Sequence, residues 1–279
     1  MGRFFCGWYY RCQSDHQALA IIASYHKAAE GSSSEIQIVT DTEAFHIPFP
    51  FSDFHKTGGC VKIADNCFGR DGIRLNIRTS NLVVTGSLQF GPLTEIRYDI
   101  MGPFRFLPFM QCRHSVYSMC HTVNGRITIN GIPYSFRNAT GYIEGDRGRS
   151  FPREYLWTQC SFPDGGLMLS VADIPLGAFR FTGVIGIIYL HGKEYRLATY
   201  LGARAVKRQP EEIIIRQGVY TLIIRPEKIS GHSLHAPVAG AMKRTIHEHP
   251  SCKVSYLFTK NGVPLLTLDA HNAALEYEY

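Results

Sequence analysis

Two acidic residues, Glu144 and Asp146, stand two positions apart in the segment GYIEGDRG. In an extended chain, side chains two positions apart share one face and lie roughly 7 Å from each other. If that face lines a dry cavity, desolvation and mutual repulsion raise the pKa of a carboxyl group, and one of the pair stays protonated near neutral pH. Such a carboxyl group could act as a general acid. The structural alternative is that Glu144 pairs with an arginine and Asp146 caps the Asp-Arg-Gly turn.

An alternating pattern follows the acidic pair and places Tyr155, Trp157 and Gln159 on one face of a predicted strand. This face would offer an aromatic wall, a phenol and an amide to a small molecule. His114 and His121 precede the acidic pair. As functional residues they would hold the carboxylates or orient a phenol. The structural alternative makes each of them a hydrogen-bonded histidine of the fold.

Hydrophobic patterns of period two dominate the chain, so strands must position these residues. Residues 111–122 are predicted to form a long strand, and Asn130-Gly131 is the strongest hairpin signal in the sequence. Two prolines make residues 45–54 an irregular apolar segment or a sheet edge. Residues 239–248 are predicted to form one short helix, and residues 272–279 a closing strand. About a dozen or more short strands predict an all-β sandwich or barrel.

Composition narrows the class of protein. The chain has 279 residues, of which 45% are hydrophobic and 19% charged, as is typical of a globular protein with a sizeable core. Its formal net charge is +6, but the basic residues form neither a stripe nor a known motif, so no nucleic-acid partner is expected. A weak peripheral contact with an anionic membrane surface stays open. The sequence does not predict the oligomeric state.

Cysteine usage and the N-terminal sequence indicate the cellular setting. No apolar signal segment precedes GWYYR, so free thiols and a reducing, cytoplasmic location are expected. No apolar run is long enough to predict a membrane-spanning helix. Cys112, His114, Cys120 and His121 suggest zinc by residue type. On one strand, however, Cys112 and Cys120 would lie roughly 26 Å apart, and no C-x-x-C motif is present, so no metal site is predicted.

The middle third of the chain resembles the tocopherol cyclase family. The family pattern runs M-G-P-F, P-F-M-E-C-x-H, S-M-x-H, G-Y-x-E-x-D-W-G-x-S-F-P and W-x-Q. The matching segments here are residues 101–104, 108–114, 118–121, 141–152 and 157–159. The opening Gly7-Trp8-Tyr9-Tyr10 resembles the family start G-W-Y-[FY], and Leu234-His235-Ala236-Pro237 with Gly240-Ala241-Met242 resembles a motif near its end.

The resemblance implies two lipocalin-like antiparallel β-barrel or sandwich halves with few short helices. We expect an N-terminal half over residues 1–140 and a C-terminal half over residues 141–279, with a soft boundary within 139–153. A barrel of about eight strands can hold one small ligand. The chain departs from the family pattern at Arg147, where the family has tryptophan, and at Gln111, where it has glutamate.

The resemblance also implies a chemistry, in which an acid protonates an isoprenoid alkene and a phenol oxygen attacks the tertiary cation. Carried onto this chain, Glu144 or Asp146 is the catalytic acid, and the partner is an apolar small molecule, with no cofactor and no metal required. One alternative is a non-catalytic lipocalin-like binder, which the departure at Arg147 favours. Another is an isoprenoid hydratase, in which water replaces the phenol. The candidate substrate-binding residues are His114, His121, Tyr155, Trp157, Gln159, Trp8 and Tyr10.

Overall fold

The computed structural model describes residues 2–108, 110–163, 165–176, 179–227 and 231–279, and within them nearly all regular structure is β-strand. Phe109, part of one family-like motif, lies outside the described residues. The helical elements in the described ranges are short 3-10 turns at Phe51–Asp53, Gly102–Phe106 and Thr199–Leu201. None of the helices in these ranges is long and apolar enough to cross a membrane.

The first sheet is antiparallel throughout and contains eleven strands of the described chain. Its spatial order is β4-β3-β2-β1-β11-β10-β9-β8-β7-β6-β5. The strands are β1 (Phe4–Gln13), β2 (Ala18–Ala28), β3 (Gly31–Thr40), β4 (Ala44–Pro50), β5 (Phe54–Thr57), β6 (Cys60–Ile63), β7 (Asn66–Phe68), β8 (Gly72–Arg78), β9 (Val83–Phe90), β10 (Cys112–Ile129) and β11 (Ile132–Gly148).

The second sheet is also antiparallel, with the order β15-β14-β13-β12-β21-β20-β18-β17-β16 and with β19 paired to β20. Residues 149–154 connect it to the first sheet. Its strands are β12 (Tyr155–Phe162), β13 (Gly165–Leu176), β14 (Phe179–Leu190), β15 (Lys193–Ala198), β16 (Arg204–Gln209), β17 (Glu212–Gln217), β18 (Tyr220–Pro226), β19 (His232–Val238), β20 (Ala241–Lys260) and β21 (Val263–Glu278).

The prediction of an all-β, lipocalin-like fold with few short helices is therefore confirmed. Whether the two sheets are separate domains, with the boundary expected from the sequence, stays a prediction. Each sheet surrounds a hydrophobic core of its own, one built from β1 to β11 and one from β12 to β21. A third core lies between the sheets and takes residues from both, among them Tyr9, Val39, Trp157 and Ile246.

The hairpin of β10 and β11 turns at Asn130-Gly131, as the sequence predicts, and both residues have positive φ (48° and 86°). Such backbone angles are those of the type I′ turn that suits tight hairpins. Register along the hairpin pairs His114 with Asp146 and Val116 with Glu144. On its other side β11 pairs with β1, and this edge places Tyr9 opposite Glu144.

Two local predictions need correction or refinement. The predicted helix at residues 239–248 is wrong, because Ala239-Gly240 forms a positive-φ turn and the remaining residues begin β20. Strand pairing with β19 and β21 outweighs the helix propensity of alanine, lysine and glutamate in this segment. The proline-containing segment at residues 45–54 is mostly the regular edge strand β4, and not an irregular segment.

One buried cation, Arg11, fastens the first sheet to the second. Its side chain is 1% exposed and donates to the backbone oxygens of Pro250 (2.9 Å) and Asn272 (2.6 Å) and to Oε1 of Gln159 (2.9 Å). These acceptors lie on β20, β21 and β12, so a single guanidinium satisfies polar groups from three strands of the opposite sheet.

Replacement of this arginine in Arg11→Met should lower the free energy of unfolding by about 3 kcal/mol, because two buried acceptors and one part-buried acceptor lose their donor. Urea denaturation at neutral pH measures the change. The matched control is Arg74→Met on the exposed face of β8, which should change stability by less than about 0.5 kcal/mol. Equal effects of the two substitutions on stability would contradict the role of Arg11 in linking the two sheets.

Candidate functional site

A cavity of about 160 Å³ lies between the two sheets, not within either sheet's own core. Strands from both sheets and the 3-10 turn at Gly102–Phe106 contribute to its wall. Most of the wall is apolar, and the ionisable side chains on it include Glu144, Asp146 and Glu276. Apolar wall residues include Phe5, Met101, Phe104, Phe151, Leu234 and Ile246.

His114 lies between the two carboxylates that the sequence singled out. Its Nδ1 is 3.0 Å from Oδ1 of Asp146, and its Nε2 is 3.2 Å from Oε2 of Glu144. Glu144 and Asp146 therefore share a face, as their spacing predicts, but they are bridged by an imidazole. The Cys112 thiol also donates to Asp146, at 3.2 Å.

The charge state of His114 follows from this position. Burial on its own would lower the pKa of His114, but the carboxylates of Glu144 and Asp146 more than offset burial and raise that pKa well above its usual value. The imidazolium form of the ring is thus favoured between the two carboxylates. The cluster carries a proton that both carboxylates stabilise.

Glu144 also accepts hydrogen bonds from two aromatic side chains. The hydroxyl of Tyr142 donates to its Oε2 at 2.6 Å, and Nε1 of Trp157 donates to the same atom at 3.1 Å. Each donor stabilises a negative charge on the carboxylate. Trp157 also packs edge-on against Tyr9, with ring centroids 5.5 Å apart. An anion beside aromatic rings is an arrangement suited to a cation in the cavity.

A second acidic pair, Glu248 and Glu276, was missed from the sequence. The two residues are register partners on β20 and β21. Burial raises the pKa of Glu248 to about 7, and burial together with the charge of Glu248 raises the pKa of Glu276 well above its usual value. Tyr9 donates to Glu248 and Tyr155 donates to Glu276, each at 2.5 Å.

Glu276 lines the cavity and pairs directly across the strands with Trp157. Its raised pKa favours the protonated carboxylic acid, which is the form that can donate a proton. The alternating Glu and Tyr of the predicted closing strand were the available signal. Period two alone does not show which face of that strand is buried.

Most of the predicted site residues border the cavity. Glu144, Asp146, His114, Tyr155 and Trp157 all line it. Trp8 also lies at the cavity wall, although its ring packs inside the first sheet. Its ring centroid is 6.4 Å from that of Phe54 and 4.7 Å from Nζ of Lys56.

Three predicted substrate-binding residues are not among those that line the cavity. Tyr10 points into the core of the first sheet, where it stacks near Phe90. His121 lies against the same phenylalanine, and Oγ of Ser118 is 3.0 Å from its Nδ1. Gln159 is fully buried, where it accepts from Arg11.

The two departures from the family pattern fall outside the cavity. The side chains of Arg147 and Gln111 are exposed, and neither residue is among those that line the cavity. Arg147 neighbours Asp146 on β11, so its side chain points to the opposite face of the strand. The departure at Arg147 therefore gives no support to a non-catalytic binder.

Two groups of side chains in the described ranges have donor atoms close enough together to hold a metal ion. One is His114 with Glu144 and Asp146, and the other is Glu35 with His46 and His235. In the first group each ring nitrogen of His114 already faces its own carboxylate, so a proton accounts for the arrangement. Neither group includes Cys112 or Cys120.

Comparison with known proteins gives one sequence match. No family model matches the chain. Over 121 residues the chain is 29% identical to the "Probable tocopherol cyclase, chloroplastic" of Oryza sativa subsp. japonica. The alignment covers 40% of this chain and 26% of the rice protein, so the chain spans about a quarter of that relative. The match supports the resemblance to the tocopherol cyclase family.

Solved structures share the fold over nearly the whole chain. Kievitone hydratase from Nectria haematococca aligns with a TM-score of 0.57 and 12% identity, over 99% of this chain and 89% of that one. CghA, solved with Sch210972, aligns with a TM-score of 0.65 and 9% identity, over 99% and 88% of the two chains. At these identities the likeness shows the fold alone.

The raised pKa of His114 predicts a protonated ring at pH 7.5, observable by NMR as two protonated ring nitrogens. His121 is the internal control, since burial lowers its pKa to about 4 and it should stay neutral at pH 6. Because the folded-state pKa of His114 is raised, its stabilising charge is fully present below about pH 6.5 and is lost as pH rises through the raised value. A neutral His114 ring at pH 7 would show that Glu144 and Asp146 do not raise the pKa of His114.

Proposed function

We propose that this chain is a tocopherol cyclase-like catalyst that closes a ring on a prenylated phenol or a related isoprenoid by acid catalysis. The observation that carries the proposal is a buried carboxyl group of raised pKa, Glu276, on the wall of a mainly apolar cavity beside Trp157. The partial match to the rice protein and the family-like motifs support the same chemistry.

The reaction begins with proton transfer from an acid to an alkene carbon, which leaves a tertiary cation on the neighbouring carbon. The phenol oxygen attacks this cation and forms the new C–O bond. The phenol proton then passes to a carboxylate. One proton enters the substrate and one leaves it, so the product is an isomer of the substrate and no cofactor is consumed.

The cavity groups divide into a donor and two acceptors. Glu276 is the neutral acid that donates, and Tyr155 stabilises the carboxylate left behind through its hydrogen bond. Glu144 and Asp146 are the sites for the phenol proton, and His114 links them. The acidic pair singled out from the sequence thus stays in the site, but Glu144 and Asp146 accept a proton, whereas Glu276 donates it.

The cation formed in the cavity needs stabilisation without water. Water would quench it to an alcohol, and the mainly apolar wall limits that reaction. Trp157 and Tyr9 offer aromatic rings to the cation. The Glu144 carboxylate next to Trp157 adds a Coulomb attraction, which is stronger in a dry cavity than in water.

Substitution of the acid in Glu276→Gln should lower the rate of ring closure by about 10²- to 10⁴-fold, because glutamine cannot donate the required proton. Conversion of a geranylated hydroquinone to its cyclic isomer, followed by chromatography, measures the rate. Glu211→Gln, on the exposed turn before β17, removes a carboxylate far from the cavity and should keep the wild-type rate. An unchanged rate in Glu276→Gln would reject Glu276 as the acid.

Native mass spectrometry with extraction of the bound molecule separates the catalyst from the alternatives. After incubation with the same hydroquinone, wild type should carry the cyclic isomer, and the Glu144→Gln, Asp146→Asn double variant should carry the open form. The same open molecule on both proteins would indicate a binder. A product heavier by one water would indicate a hydratase.

A further inference from the structure

A second polar cluster, separate from the acidic groups around His114, gathers where β3 and β4 of the first sheet meet β19 of the second. Oε1 of Glu35 lies 3.4 Å from Nδ1 of His46 and 3.3 Å from Nδ1 of His235. Oε2 of the same carboxylate lies 3.8 Å from Nε2 of His26 on β2. Three histidines from three other strands therefore surround the Glu35 carboxylate.

Glu35 and His26, two members of the cluster, are buried, and several polar atoms of the cluster have no hydrogen-bond partner. Glu35 is 6% exposed and His26 is 3% exposed. Oε1 of Glu35, Nδ1 of His46 and both ring nitrogens of His26 have no hydrogen-bond partner. Unsatisfied buried polar atoms are costly, and a bound cation would offset that cost for the carboxylate oxygen and the ring nitrogens together.

The hydrogen bond of His46 determines which of its ring nitrogens carries the hydrogen. Its Nε2 lies 3.1 Å from the backbone oxygen of Ser233, which can only accept a hydrogen bond, so Nε2 carries the hydrogen. In the neutral ring Nδ1 then presents a lone pair to the Glu35 carboxylate. Two acceptors that face each other at this distance require a cation between them. A backbone carbonyl bound to the second ring nitrogen is also the usual support for a metal-binding histidine.

The separations match the size of a transition-metal site. Zinc lies about 2.0–2.1 Å from imidazole nitrogen and carboxylate oxygen, so two such ligands at a tetrahedral angle are about 3.3–3.4 Å apart. Oε1 of Glu35 stands at these distances from both Nδ1 atoms. All three donor atoms lie within 4.8 Å of one another.

The side chain of Gln37 holds β3, which carries Glu35, against the backbone of His235 on β19. Gln37, two residues after Glu35 on β3, donates through its amide nitrogen to the backbone oxygen of His235 at 3.1 Å. Its amide oxygen accepts from the backbone nitrogen of His235 at 2.9 Å. The rings of His46 and His235 stack with centroids 4.0 Å apart. Preorganisation of this kind lowers the cost of binding.

We propose that Glu35, His46 and His235 form a binding site for one divalent transition-metal ion, with Zn²⁺ the ion best suited to two imidazoles and one carboxylate. The ion joins the edge of the first sheet to the second sheet. His26 lies beside the second carboxylate oxygen of Glu35, at 3.8 Å, and is not one of the proposed ligands. The His235 side chain is 45% exposed and the residue lines the cavity, so the fourth coordination position is accessible to water or to a molecule in the cavity.

Metal titration of the purified full chain tests the proposal without any measurement of activity. After removal of metals with a chelator, the protein should bind one equivalent of Co²⁺ and develop the visible absorption bands of a tetrahedral ion. Zn²⁺ should displace Co²⁺ and raise the melting temperature in a concentration-dependent manner. His235→Gln and Glu35→Gln should each weaken Co²⁺ binding by at least about tenfold, the loss expected when one ligand or its support is removed.

The matched control is His247→Gln, which removes an exposed histidine that lies 3.6 Å from the Glu278 carboxylate. This variant should bind Co²⁺ like wild type. Because the His235 side chain is half exposed, His235→Gln should fold normally, and circular dichroism verifies this. Equal Co²⁺ affinity in wild type and His235→Gln, or no stoichiometric binding by wild type, would overturn the proposal and leave a proton shared between Glu35 and the histidines.

Discussion

The cost of burying charge between two apolar sheets governs this structure. Four carboxyl groups stand close together there, and an isolated carboxylate in such surroundings would cost several kcal/mol. The fold meets the cost in different ways. His114 lies between Glu144 and Asp146, and both carboxylates raise its pKa, whereas burial raises the pKa of Glu248 and Glu276 and so favours their neutral forms. Phenol hydroxyls from Tyr9, Tyr142 and Tyr155 supply further hydrogen bonds to Glu248, Glu144 and Glu276.

The arrangement of cores explains why such a cluster is tolerated. Each sheet has an apolar core of its own, which supplies hydrophobic stabilisation independently of the region between the sheets. Polar groups can therefore occupy the intersheet region without weakening either core. The same region holds the cavity and, at its edge, the cluster of Glu35 and three histidines. Interfaces between packed layers are common places for ligand sites for this reason.

Sequence reasoning identified the local part of the site and missed the long-range part. The shared face of Glu144 and Asp146 follows from strand geometry, and the hairpin at Asn130-Gly131 follows from turn chemistry. Glu276 comes from the last strand, and only the pairing of β21 with β12 brings it next to Trp157. Gln159 continues the alternation of Tyr155 and Trp157, but further along the strand that face meets Arg11 and not the cavity. Period two predicts a face, and tertiary pairing decides what the face meets.

Because the cavity wall comes from both sheets, any molecule that fills the cavity contacts both of them at once. Ligand binding is then thermodynamically linked to the association of the sheets. A bound ligand stabilises the packed arrangement of the two sheets, and looser packing of the sheets lowers the affinity for the ligand by the same free energy. Substitutions at the intersheet surface can therefore alter ligand preference while each hydrophobic core stays intact. In such an architecture, substrate range can diversify faster than the fold that supports it.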